Sequence, residues 1–393
     1  MFNIVRDFSR PPRKYKGFVS STFKPEGKIA YVNLRASILI HTCNNIYNLH
    51  TGIIAEIPVK TRKTFLKQQD DHMKIALLGG SGFIGTEFIR QFGEQHDIFI
   101  GDIVKSTTYP ERSAHCDIRR KDDLRAFMKG ADVVINLAAV HRDDVRPLSL
   151  YHDTNVQGSQ NICDVADELG IKHQIFTSSV AVYGFQPGEP DEDTPHKPFN
   201  PYGKTKSEAE DVYLLWQRHA PNKRALTIIR PTVVFGPNNR GNVYNLLRQI
   251  ASGAFVMIGD GKNKKSMCYV GNVASFIKYS LGFGTGVHVY NYVDKPDFTM
   301  NELVKQVRET LGKGKGVGIR LPYWAGYSAG ACFDALSKIT GKTFPVSRIR
   351  IEKFCANTVF NADKAHSSGF NAPTNLQHAL SATLEHEFGE GKQ

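Results

Sequence analysis

From residue 73 onward, short apolar runs alternate with stretches whose apolar residues recur at helical spacing. Lys74–Leu78 carries four consecutive apolar residues and predicts a buried strand, and Phe83–Phe92 then predicts a helix. The same rhythm predicts a strand at Asp97–Ile100, a helix at Asp122–Met128 and a strand at Val133–Leu137. A long helix is expected over Leu148–Leu169, with Leu148, Tyr151, Val156, Ile162, Val165 and Leu169 near helical spacing. Gln174–Thr177 reads as a strand, Tyr202–Arg218 as a helix and Ala225–Ile229 as a strand. Strands separated by helices imply an α/β fold with a doubly wound parallel sheet, the Rossmann arrangement. After about Pro231 the rhythm loosens, so residues 73–235 are expected to form the nucleotide-binding domain and 236–393 mainly a smaller substrate-binding lobe. Gly312–Gly318 reads as a flexible loop, and no internal repeat is found.

Residues 1–72 stand apart. Their apolar runs, such as Ala36–Ile40, are broken, and they hold 12 Lys/Arg against 5 Asp/Glu. They are expected to be a basic extension outside the fold, with translation of the folded protein beginning at Met73. The other reading is a targeting or membrane-contacting arm. The extension also changes how the net charge of +12 is read, because it contributes +7 and leaves +5 for the remaining 321 residues. That mild excess suits anionic ligands or an acidic membrane surface, and no nucleic-acid partner is expected.

The six cysteines, at 43, 116, 163, 268, 332 and 355, form no C-x-x-C pair, as suits reduced thiols in a cytoplasmic protein. No Cys/His cluster predicts a metal site. No run of about 18 apolar residues predicts a membrane span, and no signal-peptide pattern opens the chain.

The first chemistry-bearing motif is Gly79-Gly80-Ser81-Gly82-Phe83-Ile84-Gly85, set between a strand and a helix. Glycines there let the backbone turn sharply and approach a pyrophosphate at the helix N-terminus. Asp102 closes the second strand 23 residues after Gly79, where a carboxylate can accept hydrogen bonds from ribose hydroxyls. It would repel the extra phosphate of NADP, so NAD is the expected cofactor. Asp117 and Ile118 could flank the adenine, and Leu137, Ala138 and Ala139 could let the cofactor pass close to a strand end.

Tyr202-Gly203-Lys204-Thr205-Lys206 holds a Tyr-x-x-x-Lys pair, whose spacing puts both side chains on one helical face. A free tyrosine titrates near about 10, too high for a base at neutral pH. A lysine ammonium and a positive nicotinamide beside it would lower that value and make Tyr202 a general acid/base. Ser178 and Ser179 follow the strand Gln174–Thr177, at the carboxyl end where ligands bind in such sheets.

Together these segments resemble the extended short-chain dehydrogenase/reductase family, of the NAD-dependent epimerase/dehydratase type. The carrying residues are Gly79, Gly82 and Gly85, Asn136–Ala139, Thr177–Gly184 and Asn200–Lys206. The likeness runs from Met73 to the C-terminus. It implies Ser179 as the catalytic hydroxyl, Tyr202 as acid/base, and Lys206 as the residue that also holds the nicotinamide ribose.

Dehydratases of the family place an Asp-Glu pair after the catalytic hydroxyl, and here Val180-Ala181 stand there, so a 4-epimerase is implied. UDP-sugar epimerases usually carry Asn where this chain has Val233, and Arg where it has Lys265. A lysine cannot clamp a diphosphate with two parallel hydrogen bonds. A further likeness, through His141–Val145, Ile175–Gly184, Thr227–Gly236, Asn239–Leu247, Lys265–Asn272 and Tyr290–Asp297, is to bacterial epimerases of N-acetylhexosamines linked by diphosphate to undecaprenol, which serve surface-polysaccharide assembly. It implies substrate contacts at His141, Ser179, Arg240, Asn242 and Lys265. The apolar, aromatic stretch Ile319–Ile339 with its basic neighbours could lie in a headgroup layer, at the cytoplasmic face of the inner membrane, or be an ordinary core helix. A homodimer through Leu148–Leu169 and Tyr202–Arg218 is also implied. A UDP-sugar epimerase, an NAD-dependent dehydrogenase or reductase, and a non-catalytic NAD-binding protein stay open as alternatives.

Overall fold

A computed structural model describes residues 72–389, apart from 143 and 342–346. The expectations for residues 1–72 lie almost wholly outside the described residues. In chain order the elements are β1 (Lys74–Leu78), α1 (Phe83–Phe92), β2 (Asp97–Asp102), β3 (Ser113–His115), α2 (Lys121–Met128), β4 (Val133–Asn136), α3 (Ser149–Tyr151), α4 (Gly158–Leu169), β5 (His173–Thr177), α5 (Pro201–Arg218), β6 (Ala225–Pro231) and β7 (Val233–Phe235). Then come α6 (Asn242–Ala251), β8 (Met257–Ile258), β9 (Lys264–Tyr269), α7 (Val270–Ser280), β10 (Gly286–Tyr292), β11 (Asp294–Thr299), α8 (Met300–Thr310), β12 (Arg320–Leu321), α9 (Tyr323–Thr340), α10 (Arg348–Cys355), α11 (Asp363–Ser367) and α12 (Leu376–Phe388).

Seven strands form one parallel sheet in the order β10-β6-β5-β4-β1-β2-β3. Its direction of winding reverses between β1 and β4, so a crevice opens beyond their carboxyl ends. Helices cover both faces, and this is why the strands read as unbroken apolar runs. Ile75 and Leu77 pack with Phe88, Ile89, Val273 and Phe276 on one side. Ala76 and Leu78 pack with Leu124, Met128, Ile162 and Val165 on the other. Each large apolar side chain buried in this way contributes about 1.5–3 kcal/mol before entropy is counted.

Two features differ from the sequence expectation. The long helix expected over Leu148–Leu169 begins at Ser149 and contains a π-helical segment, His152–Gln157, between α3 and α4. The main sheet also takes its seventh strand, β10, from beyond residue 236, because the chain returns from the lobe to cover the edge of β6. The lobe is built on the sheet β11-β9-β7. Its core joins Phe235, Leu247, Met267, Leu303, Val304, Leu380 and Leu384 from that sheet and from α6, α8 and α12. No helix among the described residues is long and apolar enough to cross a membrane.

Candidate active site

The turn after β1 is tight for a reason that can be read atom by atom. Gly79 has φ +73°, and a Cβ there would lie 2.5 Å from the backbone nitrogen of Ala138, just past β4. A Cβ on Gly85 would lie 2.4 Å from the carbonyl oxygen of Gly80, so only glycine lets α1 start this close to the turn. Helix α1 opens at Gly82 with no side-chain cap, leaving first-turn N–H groups facing the crevice end of the sheet. Ser81 donates its backbone N–H to the Asp102 carboxylate at 3.2 Å, and Val104 donates its own at 3.1 Å. Phe83 and Ile84 are half-buried in the first turn of α1, and Leu137–Ala139 are half-buried past β4. A cradle that any side chain would fill, an uncapped helix start and a carboxylate at the end of β2 fit a dinucleotide.

Asp117 is held by Arg119 through three guanidinium bonds of 2.6–3.1 Å, which keep its carboxyl below the usual range. Ile118 is buried against Gly158, and its carbonyl accepts from Asn161 at 3.1 Å.

Beyond β5 the strand continues for one residue, with Ser178 N–H donating to Ile229 O at 2.7 Å. Ser179 then caps a 3-10 turn, Val180–Tyr183, by accepting from Ala181 N–H at 3.2 Å. Asn200 caps α5 by accepting from Gly203 N–H at 2.8 Å, which fixes the first turn that carries Tyr202. The Ser179 hydroxyl stands beside that of Tyr202. Burial raises the Tyr202 pKa, and the neighbouring Ser179 hydroxyl works against that rise.

Lys206, one turn further on, is 2% exposed. Its ammonium donates to the Thr177 carbonyl and lies 4.0 Å from the centroid of the Phe176 ring. Burial pushes its pKa down to about 7, with Glu210 opposing. The sequence predicted that this lysine and a positive nicotinamide together lower the Tyr202 pKa. Among the protein's own groups, desolvation instead outweighs every other effect and raises it.

Behind Lys206 sits a buried ion pair that sequence reasoning missed. Arg230 on β6 meets Glu210 on α5 at 2.6 and 3.0 Å, and also donates to the Tyr183 hydroxyl at 2.6 Å. Tyr183 in turn donates to Asn291 at 2.7 Å. Asn155 was missed as well. Its side chain exchanges hydrogen bonds with the Val140 backbone at 2.8 and 3.0 Å and donates to Thr205 at 3.0 Å, tying the end of β4 to α5. The available signal was an amide between Tyr151 and Val156 on a face that otherwise reads as buried.

The expected substrate contacts lie further out. His141 is exposed on the loop after β4. Arg240 pairs with the buried Glu387 carboxylate of α12 at 2.6 Å and lies over the Tyr244 ring. Asn242 is exposed at the first position of α6. Lys265 donates to the carbonyls of Lys353 and Ala356 at 3.0 and 2.7 Å, capping the C-terminal end of α10, and burial lowers its pKa to about 8.

The profile of the family described as "NAD dependent epimerase/dehydratase family" matches residues 75–292. The chain is 52% identical over 320 residues to the N-acetyl-alpha-D-glucosaminyl-diphospho-ditrans,octacis-undecaprenol 4-epimerase of Escherichia coli O157:H7, covering 81% of this chain and 96% of that protein. It is 26% identical over 327 residues to a UDP-glucose 4-epimerase of Vibrio cholerae, covering 79% and 94%. Among solved structures, the Thermus thermophilus UDP-glucose 4-epimerase complex with NAD superposes with TM-score 0.61 at 19% identity, covering 80% of this chain and 98% of that one. The UDP-N-acetylglucosamine 4-epimerase of Methanobrevibacter ruminantium superposes with TM-score 0.63 at 21% identity and the same coverage.

Proposed function

The chain belongs to the NAD-dependent epimerase/dehydratase family, and on that footing we propose that it inverts C4 of an N-acetylhexosamine joined through diphosphate to undecaprenol. The observation that carries this is 52% identity across 96% of a relative named for that substrate. The interconversion is of the gluco and galacto forms and would serve surface-polysaccharide assembly.

NAD, when bound, supplies a reversible hydride acceptor, so no net redox change accumulates. The residues that would hold it are the Gly79–Gly85 turn with Phe83 and Ile84, Asp102, Asp117 and Ile118, Leu137–Ala139, and Lys206. Tyr202 takes the proton from the sugar 4-hydroxyl and later returns it to the same oxygen. Ser179, beside Tyr202, donates to that oxygen and keeps it in line. Lys206 holds positive charge beneath the pair and orients the ribose. The burial that raises the Tyr202 pKa keeps the phenol protonated until positive charge arrives beside it. Arg240, Asn242 and Lys265 are the proposed contacts of the diphosphate and His141 of the sugar. Arg240 then exchanges Glu387 for phosphate oxygen, at a helix start that itself favours anions. The substrate's lipid places the enzyme at the cytoplasmic surface of a membrane.

The test is to offer undecaprenyl-diphosphate-linked and UDP-linked N-acetylglucosamine side by side and analyse the released sugar. Epimerisation confined to the UDP-linked sugar would overturn the lipid-linked substrate. Net NADH formation would instead point to a dehydrogenase.

A further inference from the structure

Helix α9 buries two glycines and leaves most of its large side chains exposed. Gly326 and Gly330 face inward, where a Cβ would lie 2.6 Å from Ile258 Cγ2 and 2.8 Å from the backbone nitrogen of Arg348. Asp334 shares that inner side and meets Arg348 at 3.5 Å. The outer side carries Trp324, Ser328, Cys332, Ala335, Leu336 and Ile339, all exposed. At 3.6 residues per turn they span an arc of about 120° that holds no charge. Trp324 is 72% exposed and Ile339 82%. A soluble surface rarely keeps such a stripe without something to cover it.

The charge around the stripe says what covers it. Between residues 313 and 353 there are eight Lys/Arg against two Asp/Glu, so this segment holds +6 of the chain's +12. Lys338, Arg348 and Arg350 are exposed along α9 and α10. A second copy of the same face would bring like charges together, whereas an anionic headgroup layer complements both the charge and the apolar arc.

The hairpin of α9 and α10 is also tied to the catalytic cleft. The Lys353 ammonium, at the end of α10, lies 5.2 Å from the Phe199 ring and 5.6 Å from that of Phe185, and the two rings meet, tilted by 31°, with centroids 4.3 Å apart. Phe199 stands three residues before Tyr202, and Phe185 follows the turn capped by Ser179. Lys265 fastens the last carbonyls of α10 from below.

We infer that the outer face of α9, with the basic residues of α9 and α10, docks on an anionic lipid bilayer and sets the mouth of the cleft in the headgroup layer, where a lipid-linked diphosphate lies. This rests on the lipid-linked substrate proposed above.

The chain supplies its own probe. It has two tryptophans, Trp216, which is 3% exposed, and Trp324. The full-length protein is mixed with phosphatidylcholine vesicles with and without phosphatidylglycerol. Vesicles containing phosphatidylglycerol should carry the protein down on centrifugation, shift the Trp324 emission to the blue and allow quenching by brominated acyl chains. Leu336→Asp combined with Ile339→Asp should weaken partition by about tenfold or more, yet leave turnover of a short, water-soluble prenyl-diphosphate N-acetylglucosamine unchanged.

Unchanged emission with anionic vesicles would overturn the inference, as would wild-type partition by the double variant. So would a blue shift that follows protein concentration without lipid, the mark of a second copy. Vesicle docking without turnover of the short-prenyl substrate would count against the substrate reading alone.

Discussion

At the scale of single residues, Tyr202 and Lys206 carry the argument. Tyr202→Phe removes the proton carrier but little volume. Epimerisation should fall about 10²–10⁴-fold, while gel-filtered protein should still show bound NAD by absorbance. Near-normal turnover by the Phe variant would refute the role. Lys206 offers a test by pH. Its folded pKa is pushed down to about 7 from an ordinary 10.5, so between those values the unfolded chain holds a proton that the folded chain has released. Stability therefore rises with pH across that window and falls as pH drops toward 7. Measured by thermal unfolding without added nucleotide, wild type should gain on Lys206→Met as pH is raised from about 7 toward 10. A flat difference would mean that the buried amine is not neutralised. The Tyr-x-x-x-Lys spacing was legible in the sequence, but the desolvation that raises the Tyr202 pKa before the nicotinamide adds its charge was not. Spacing reports a shared face, whereas desolvation depends on what packs over it.

At the scale of elements, β1 and α1 fall where the pattern put them, because their apolar periods are unbroken and glycines fix the turn between them. The π-helical segment His152–Gln157 left no such signal. Its register is set by Asn155 reaching Val140 and Thr205, which are remote in the chain. The Glu210–Arg230 bridge was hidden for the same reason, since charges on a helix and on a strand normally read as solvated. Removing one partner leaves the other buried and unpaired. Glu210→Ala should cost about 3–5 kcal/mol in urea unfolding, and a Glu210→Leu, Arg230→Met double variant should recover much of that. Additive losses would show that the two do not act as a pair.

For the whole molecule, the doubly wound sheet was legible, while the return of β10 to the main sheet was not. Nothing in Gly286–Tyr292 says which edge it will cover. We propose a homodimer through α4 and α5. Leu148, at the start of α3, and Leu215, on α5, are exposed. A groove of about 410 Å³ lies between α3 and the start of α5, lined by Tyr151, His152, Phe199 and Lys204 among others. Leu215→Asp should convert a dimer to a monomer by sedimentation equilibrium without lowering the thermal midpoint of the monomer. An unaltered mass would place the contact elsewhere.

The late arrival of β10 has a consequence for biosynthesis. Asn291 on β10 accepts from the Tyr183 hydroxyl, which Arg230 also engages, and β10 supplies the hydrogen-bonding partner of the whole β6 edge. A nascent chain whose ribosome has not yet released Tyr292 therefore presents six strands with one long, apolar, unsatisfied flank. Stalled translation in that interval should yield aggregating species and a heavy demand on chaperones, whereas arrest a few dozen codons later should not.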